Sequence, residues 1–378
     1  MNFELLLAIS LAVAATALVI IVSIGLVIHK AWQEKRRERK RGLYSVYSQQ
    51  VAEIILQEPT ELPDESRTSA VFDQYEQLLV PLKEGLGKIS GNKKMLHREA
   101  LKMALIDFAK DVTGETSERL TYFFYSLGYV EEEIRLLRDS RWWVRAQAAH
   151  DLRYLRARKA ITPLTQCLED HHAEVRIQAI QSLVVLGGVQ SLATILRLSK
   201  NISHWTAIEL SIIVMSFKEE AVPFLVDSLG LPDQSIVLFC IEMLAEIGFV
   251  SAVDSLRGMA KDYPNIMIRA KAVEALGRLG DARAESLLTE LLKNPLPSLR
   301  LKAIEAIGRI GAPSAIPYLA QRMREGPLQE KILAARSIAR SGSEGKSYLE
   351  TLESDENMMV RDVSGQVLEE FEVKAAAT

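Results

Sequence analysis

Cysteine, aromatic and proline residues are scarce in this chain, and each shortage excludes a class of protein. Two cysteines in 378 residues, Cys167 and Cys240, cannot build a disulfide framework and fit a reducing compartment. Aromatic residues make up 6% of the chain, and its 12 prolines and 20 glycines are too few for a linker-like or collagenous polymer. Net charge is also small, at −3 from 46 basic and 49 acidic residues. The lack of an overall basic excess argues against a nucleic acid as the main partner, because phosphate binding draws on clustered Lys and Arg. At 48% hydrophobic and 25% charged, the composition is that of an ordered globular chain.

Recognisable chemistry is equally sparse. The six histidines (His29, His97, His150, His171, His172 and His204) include none followed by Glu. His171-His172-Ala173-Glu174 falls between helical segments and reads as a solvated turn. No Gly-rich phosphate loop, Ser-His-Asp set or Cys-x-x-Cys pair occurs, and GLGK (Gly85–Lys88) lacks both the upstream Gly and the Ser/Thr of a P-loop. We therefore expect a non-enzyme and assign no catalytic, cofactor-binding or metal-ligating residue, and no cofactor.

Leu5–Ile28 runs without a charge and is rich in Leu, Ile, Val and Ala. A helix of that length suffices for a hydrocarbon core ~30 Å thick. The start lacks the Lys or Arg of a signal peptide, the apolar run is too long for one, and no A-x-A site precedes a polar mature end, so we expect an uncleaved anchor. Seven of the chain's cations crowd into the next stretch: Lys30, Lys35, Arg36, Arg37, Arg39, Lys40 and Arg41. The positive-inside rule then places the amino end outside and the rest in the cytoplasm, as a single-pass protein of a bacterial inner membrane. Trp32 suits the interface, and the cations from Lys35 to Arg41 suit the membrane surface.

The rest repeats itself. VRAQAAHDLRYL (Val144–Leu155), VRIQAIQSLVVLG (Val175–Gly187), IRAKAVEALGRLG (Ile268–Gly280) and LRLKAIEAIGRIG (Leu299–Gly311) share an aliphatic-Arg-x-x-Ala core. Aliphatic residues follow that Ala at four and seven positions, which is one helical stripe. The pattern's first site recurs at Arg145, Arg176, Ala207, Val237, Arg269, Arg300, Lys331 and Arg361, at intervals of 30 to 32 residues. Shorter segments with Pro163, Pro223 and Pro317 in a first turn alternate with them, and Gly187, Gly248, Gly280 and Gly311 close the longer helices. Such helix pairs bury their apolar faces only by stacking.

These segments resemble the short HEAT-like repeats of phycobilisome-lyase-type proteins, with "aliphatic-Arg-x-x-Ala" alternating with "Ala-Ile-Pro-x-Leu". Joined to the apolar anchor, the resemblance implies an all-α fold: a single N-terminal transmembrane helix followed by a HEAT-like α-solenoid, a right-handed superhelix of helix hairpins. It also implies that each repeat arginine bonds the loop before it. Ala207 and Val237 depart from the pattern and put the ladder in doubt across residues 200–250.

The expected organisation is an anchor (1–29), a basic juxtamembrane segment (30–42), a helical cap or degenerate repeats (43–139), the solenoid (140–371) and a disordered tail (372–378). Within 43–139 the pattern predicts helices over Tyr44–Gln57, Ala70–Ile89, Lys93–Val112 and Ser117–Leu127, the last capped by Ser117, with a turn-rich loop at Glu58–Ser66. Arg278, Arg309 and Arg340 share one register position in three repeats, with Lys271 and Lys302 in another. Glu274 and Glu305 stand four residues before Arg278 and Arg309, so the row also reads as the ordinary i,i+4 pairs of an exposed helix, and Trp143 and Trp205 also read as packing at a helix start. As candidate contacts, this row, with Trp143 and Trp205, would meet protein partners that are themselves membrane-associated, the row meeting an acidic segment. A lyase-like enzyme or accessory factor acting on a small ligand is the competing expectation.

Overall fold

The computed structural model describes residues 3–56 and 67–376, all of them helix, turn or loop, with no strand among the described residues. The chain divides into two compact units, one up to Ala160 and one from Ile161.

The first unit holds α1 (Phe3–Leu56), α2 (Arg67–Gly87), α3 (Gly91–Asp111), α4 (Gly114–Ser126), α5 (Tyr129–Leu136) and α6 (Trp142–Tyr154). The apolar run, the basic stretch and the helix predicted from Tyr44 join in one helix of 54 residues, α1. The basic segment continues the helix instead of interrupting it, since Lys, Arg, Glu and Gln are all good helix formers. Its later part packs on α3, where Arg36 and Lys40, one turn apart, pair with Glu99, and Tyr44 donates to Asp107 at 2.9 Å. Arg119, 3% exposed, stops the helix by donating to the carbonyls of Ile54 and Ile55 at 3.3 Å. Ser117 is not the cap of α4: the helix starts earlier, after Thr113, and Ser117 is buried within it. The loop predicted at 58–66 lies outside the described residues.

A buried charge cluster joins α3, α5 and α6. Lys102 donates to Glu133 at 2.6 Å and to Asp151 at 2.7 Å, and Gln147 and His150 also face Asp151. Burial pushes the Glu133 carboxyl up to about 7, whereas the bonds from His150 and Lys102 overcome burial at Asp151 and hold it down.

The second unit alternates short and long helices: α7 (Ile161–Gln166), α8 (Ala173–Gly187), α9 (Ser191–Leu198), α10 (His204–Phe217), α11 (Val222–Ser228), α12 (Gln234–Ile247) and α13 (Val253–Asp262). It continues with α14 (Ile266–Leu279), α15 (Glu285–Leu291), α16 (Pro297–Ile310), α17 (Ile316–Glu325), α18 (Leu328–Ala339), α19 (Gly342–Leu352) and α20 (Met358–Ala376). The long helices α8, α10, α12, α14, α16, α18 and α20 stack side by side, and all but α10 also pack on a neighbouring short helix. The segment 372–376, expected to be disordered, continues α20. Its alanines have the highest helix propensity of any residue, which accounts for the extension.

The predicted stripe is the core. Ala148, Ala179, Ala272 and Ala303 are fully buried, and so are Leu152, Leu183, Leu276 and Ile307 four residues on, none more than 2% exposed. Each buried leucine contributes about 1.5–3 kcal/mol relative to exposure. Small residues set the spacing between long helices. A Cβ on Gly277 would sit 2.6 Å from Ala306 Cα, and one on Gly308 would sit 2.8 Å from Ser337 Cα.

Helix ends repeat as well. Gly248, Gly280 and Gly311 take φ of +75°, +69° and +71°, and Gly342 takes +78°. At the first of the predicted glycines the left-handed residue is Gly188 instead of Gly187, while Arg156 and Lys218 adopt φ of +47° and +50° in the equivalent place without being glycine. The left-handed residue is thus a property of the repeat, and Gly is the cheapest way to supply it.

Ala173–Leu198 is apolar and long enough to suit a membrane by length and composition. It is broken at Gly188 and buries Ile180, Leu183 and Ile195, as core helices do.

Candidate protein-interaction surface

The repeat arginine does what the resemblance implies. Arg145 donates to the carbonyls of Asp139 and Ser140, Arg176 to Asp170 and His171, Arg300 to Asn294 and Pro295, and Arg361 to Asp355 and Glu356. Lys331 reaches Met323 and Arg324 in the same manner, and Arg269 reaches Ala260. The cation closes the loop before its own helix by satisfying carbonyls that the preceding short helix leaves unpaired.

Where the arginine is missing, a different device takes over. Asp233 caps α12 by accepting from the backbone of Ser235 and Ile236, and it also accepts from Asn201 N–H at 2.9 Å. Ser235 accepts from Ile202 N–H, and Ser203 caps α10. Burial would raise the Asp233 carboxyl, but these donors hold it below the ordinary range. The third and fourth repeats are therefore tied loop to loop, and the ladder continues through residues 200–250.

The solvent-facing side of the long helices carries the predicted cations, and they lie in a lattice of acids. Lys271 pairs with Glu242 and Glu274, Arg278 with Glu242 and Glu246, Lys302 with Glu274 at 3.0 Å and Glu305 at 3.5 Å, and Arg309 with Glu305 at 2.8 Å. Arg340 is exposed beyond the end of α18. The Lys302 ammonium lowers Glu274, and Lys271 and Arg278 overcome burial to lower Glu242. These half-exposed pairs act mainly to align neighbouring helices. The signal sequence reasoning read as a basic row is accompanied by Glu in matching columns.

Next to this lattice runs an apolar channel. Ala270, Leu301 and Ile332 occupy the residue after the repeat's first site on α14, α16 and α18, and with Leu333 they line an open depression of about 510 Å³. Its rim is Ser298, Lys302, Glu305, Gln329 and Arg336. Arg336 is itself bonded twice to Glu370, at 3.1 and 3.0 Å. On α10 the same side exposes Trp205 (62%), Ile208 (37%) and Ile212 (60%), one helical stripe. In the first unit Trp143 is 55% exposed and stands edge-on to Trp142 at 6.0 Å.

Of the predicted membrane-surface residues, Arg36 and Lys40 are shared with Glu99, Arg36 also lies over the Trp32 ring, and Lys35, Arg37, Arg39 and Arg41 are exposed. Among the described residues no group of three His, Cys, Asp or Glu is placed to hold a metal ion. Cys167 and Cys240 are buried, and burial pushes the Cys240 thiol up to about 12.

A buried ion triad links the last repeats and was not foreseen. Glu330, 1% exposed, accepts from Arg300 on α16 at 2.9 and 2.7 Å and from Arg322 on α17 at 3.1 and 2.5 Å. Burial would raise its carboxyl, but the two guanidiniums hold it below the ordinary value.

Residues 133–216 and 262–339 match the family model for HEAT repeats. No curated protein matches the chain. Among solved structures it is similar to an engineered protein, at 17% identity over 86% of this chain and 98% of that one, with a TM-score of 0.37. It is also similar to YibA of Escherichia coli, at 18% identity over 75% of this chain and 99% of that one, with a TM-score of 0.37. A third is human deoxyhypusine hydroxylase in complex with glycerol, at 15% identity over 80% of this chain and 98% of that one, with a TM-score of 0.28. The segment left between the two matched blocks contains Val237, where the repeat arginine is lost, and the Asp233 cap that replaces its role. Across both matched blocks, the chain is built of HEAT repeats.

Proposed function

We propose that this protein is a membrane-anchored scaffold that faces the cytoplasm and binds other proteins through its HEAT-repeat surface. The observation that carries the reading is the apolar part of α1. Its large side chains from Leu18 to Ile28 are 52–67% exposed, and the same helix runs directly into a cation-rich stretch. Apolar surface of that extent needs a nonaqueous neighbour, and a bilayer is the neighbour that a helix of this length fits. The cations of Lys30–Arg41 favour the cytoplasmic side, with the amino end outside a bacterial inner membrane as a single-pass protein. Tethering raises the effective concentration of partners in the same membrane without any new contact.

Binding is favoured over turnover by the character of the depression on α14, α16 and α18. Its floor is aliphatic and the charged residues at its rim, Lys302, Glu305 and Arg336, are held in ion pairs, whereas a lyase-like site needs convergent titratable groups turned toward a ligand. The test is alkaline extraction of membranes from cells making the full chain or a form with Leu5–Ile28 replaced by a soluble tag. The full chain should stay in the pellet and the replaced form should be released. Extraction of both, or retention of both, would contradict anchoring by this helix.

A further inference from the structure

Resting on the anchor reading, we infer that the unpaired cations of α1 just past its apolar run bind the headgroups of anionic phospholipids in the cytoplasmic leaflet. The structure sorts the cations of Lys30–Arg41 into two sets. Arg36 and Lys40 share Glu99 on α3, at 3.7 and 3.2 Å, so part of their charge is neutralised within the protein. Lys30, Lys35, Arg37, Arg39 and Arg41 are exposed and make no ion pair among the described residues. Glu34 and Glu38, the acids of the same stretch, are exposed as well and pair with none of them. The cations outnumber the acids, so this surface is positive where the helix leaves the apolar run.

The helix itself names the occupant. α1 has no break between Ile28 and Arg41, so each cation stands at a fixed distance from the end of the apolar run. With Ile28 at the edge of the hydrocarbon and ~1.5 Å per residue, Lys30 lies about 3 Å beyond it, Lys35 about 10 Å and Arg37 about 13 Å. Arg39 and Arg41 lie about 16 and 20 Å beyond. A headgroup layer is roughly 5–7 Å deep. Side chains on a helix tilt toward its amino end, which here is toward the bilayer, and the long stems of Lys and Arg add to that reach. Lys30, Lys35 and Arg37 thus come to the lipid phosphates. Arg39 and Arg41 feel only a potential that fades within a Debye length of about 8–10 Å. Trp32, 60% exposed with Arg36 over its ring, lies between the first two at the depth of an interfacial aromatic. The cations stand singly on an exposed helix with no pocket around them, a layout that suits headgroups spread in a plane and not one enclosed anion.

The experiment reconstitutes the full chain in phosphatidylcholine vesicles carrying a trace of spin-labelled phosphatidylglycerol or spin-labelled phosphatidylcholine. The motionally restricted fraction of each label gives their relative association with the protein. Phosphatidylglycerol should associate about fivefold more strongly, and about 1 M KCl should abolish the preference. Lys30→Gln, Lys35→Gln and Arg37→Gln together should lower it about threefold or more, with the helix kept because Gln is a good helix former. Arg39→Gln with Arg41→Gln should change it less than about twofold, since those cations are screened. Equal association of the two lipids, a preference that survives the triple variant, or one that the distant pair lowers as much would overturn the inference. So would a preference lost to inorganic phosphate but kept in chloride of the same ionic strength, because a free anion would then own the site. The wild type and the triple variant should both float with the vesicles. A chain that fails to float contradicts the anchor and this inference with it, whereas a chain that floats without preference contradicts this inference alone.

Discussion

Glu330→Gln is the substitution whose cost follows most directly from the geometry. The carboxylate receives four N–H bonds from Arg300 and Arg322, whose side chains are 15% and 19% exposed. An amide keeps one acceptor and turns donors toward the other guanidinium. Arg300 retains its bonds to Asn294 and Pro295, but Arg322 loses its carboxylate. Breaking a buried ion pair on one side costs about 3–5 kcal/mol. In a repeat array that loss stays with nearest neighbours, so it should appear locally over α16, α17 and α18. Hydrogen exchange by mass spectrometry should show amide protection there falling about a hundredfold or more, since each ~1.4 kcal/mol is tenfold. The effect has a pH signature. The folded carboxyl is lowered, so its contribution is complete above the unfolded value, about 4.3, and is lost as pH falls through the folded value. The gap in Tm between wild type and Glu330→Gln should therefore close in acid. A change below fivefold in protection, or a gap that widens in acid, would refute the argument.

Other residues give sharper or opposite outcomes. Gly308→Val should destabilise by several kcal/mol, because even a Cβ would fall 2.6 Å from Ser337 Cβ, and thermal melting reads it. Lys218→Gly should raise stability by about 0.5–1 kcal/mol by relieving a φ of +50°, measured by urea denaturation. Asp233→Ala removes both the cap of α12 and the tie to Asn201 and should cost about 1–2 kcal/mol, with local exchange rising across 199–236 as the reading.

The repeat register was legible because it rests on short-range chemistry: a helical stripe, a proline in a first turn and a glycine after the last one. The role of the arginine was legible for the same reason, since Arg176 and Arg300 close loops only five or six residues back. What escaped acts between elements distant in sequence. Glu330 meets Arg300 thirty residues away, Arg119 ends a helix more than sixty residues earlier, and Asp233 reaches Asn201 across a whole repeat. Gly277 and Gly308 carried a readable signal, because glycine in the same column of two helices is costly unless the neighbour must come close. The continuity of α1 went unread because its apolar, basic and amphipathic parts were taken one by one, although all are made of residues a helix accepts. In the cation row, the acidic columns beside it were visible, but their pairing across repeats needed the stack.

Cysteine accessibility across the membrane addresses the central reading most directly, because both native thiols are buried. Asn2→Cys and Lys346→Cys are placed in separate full-length chains and exposed to a membrane-impermeant maleimide in intact cells and then in opened ones. An anchored scaffold with its repeats in the cytoplasm predicts labelling of Asn2→Cys in intact cells and of Lys346→Cys only after opening. Labelling of Lys346→Cys in intact cells, or of neither residue until opening, would contradict it.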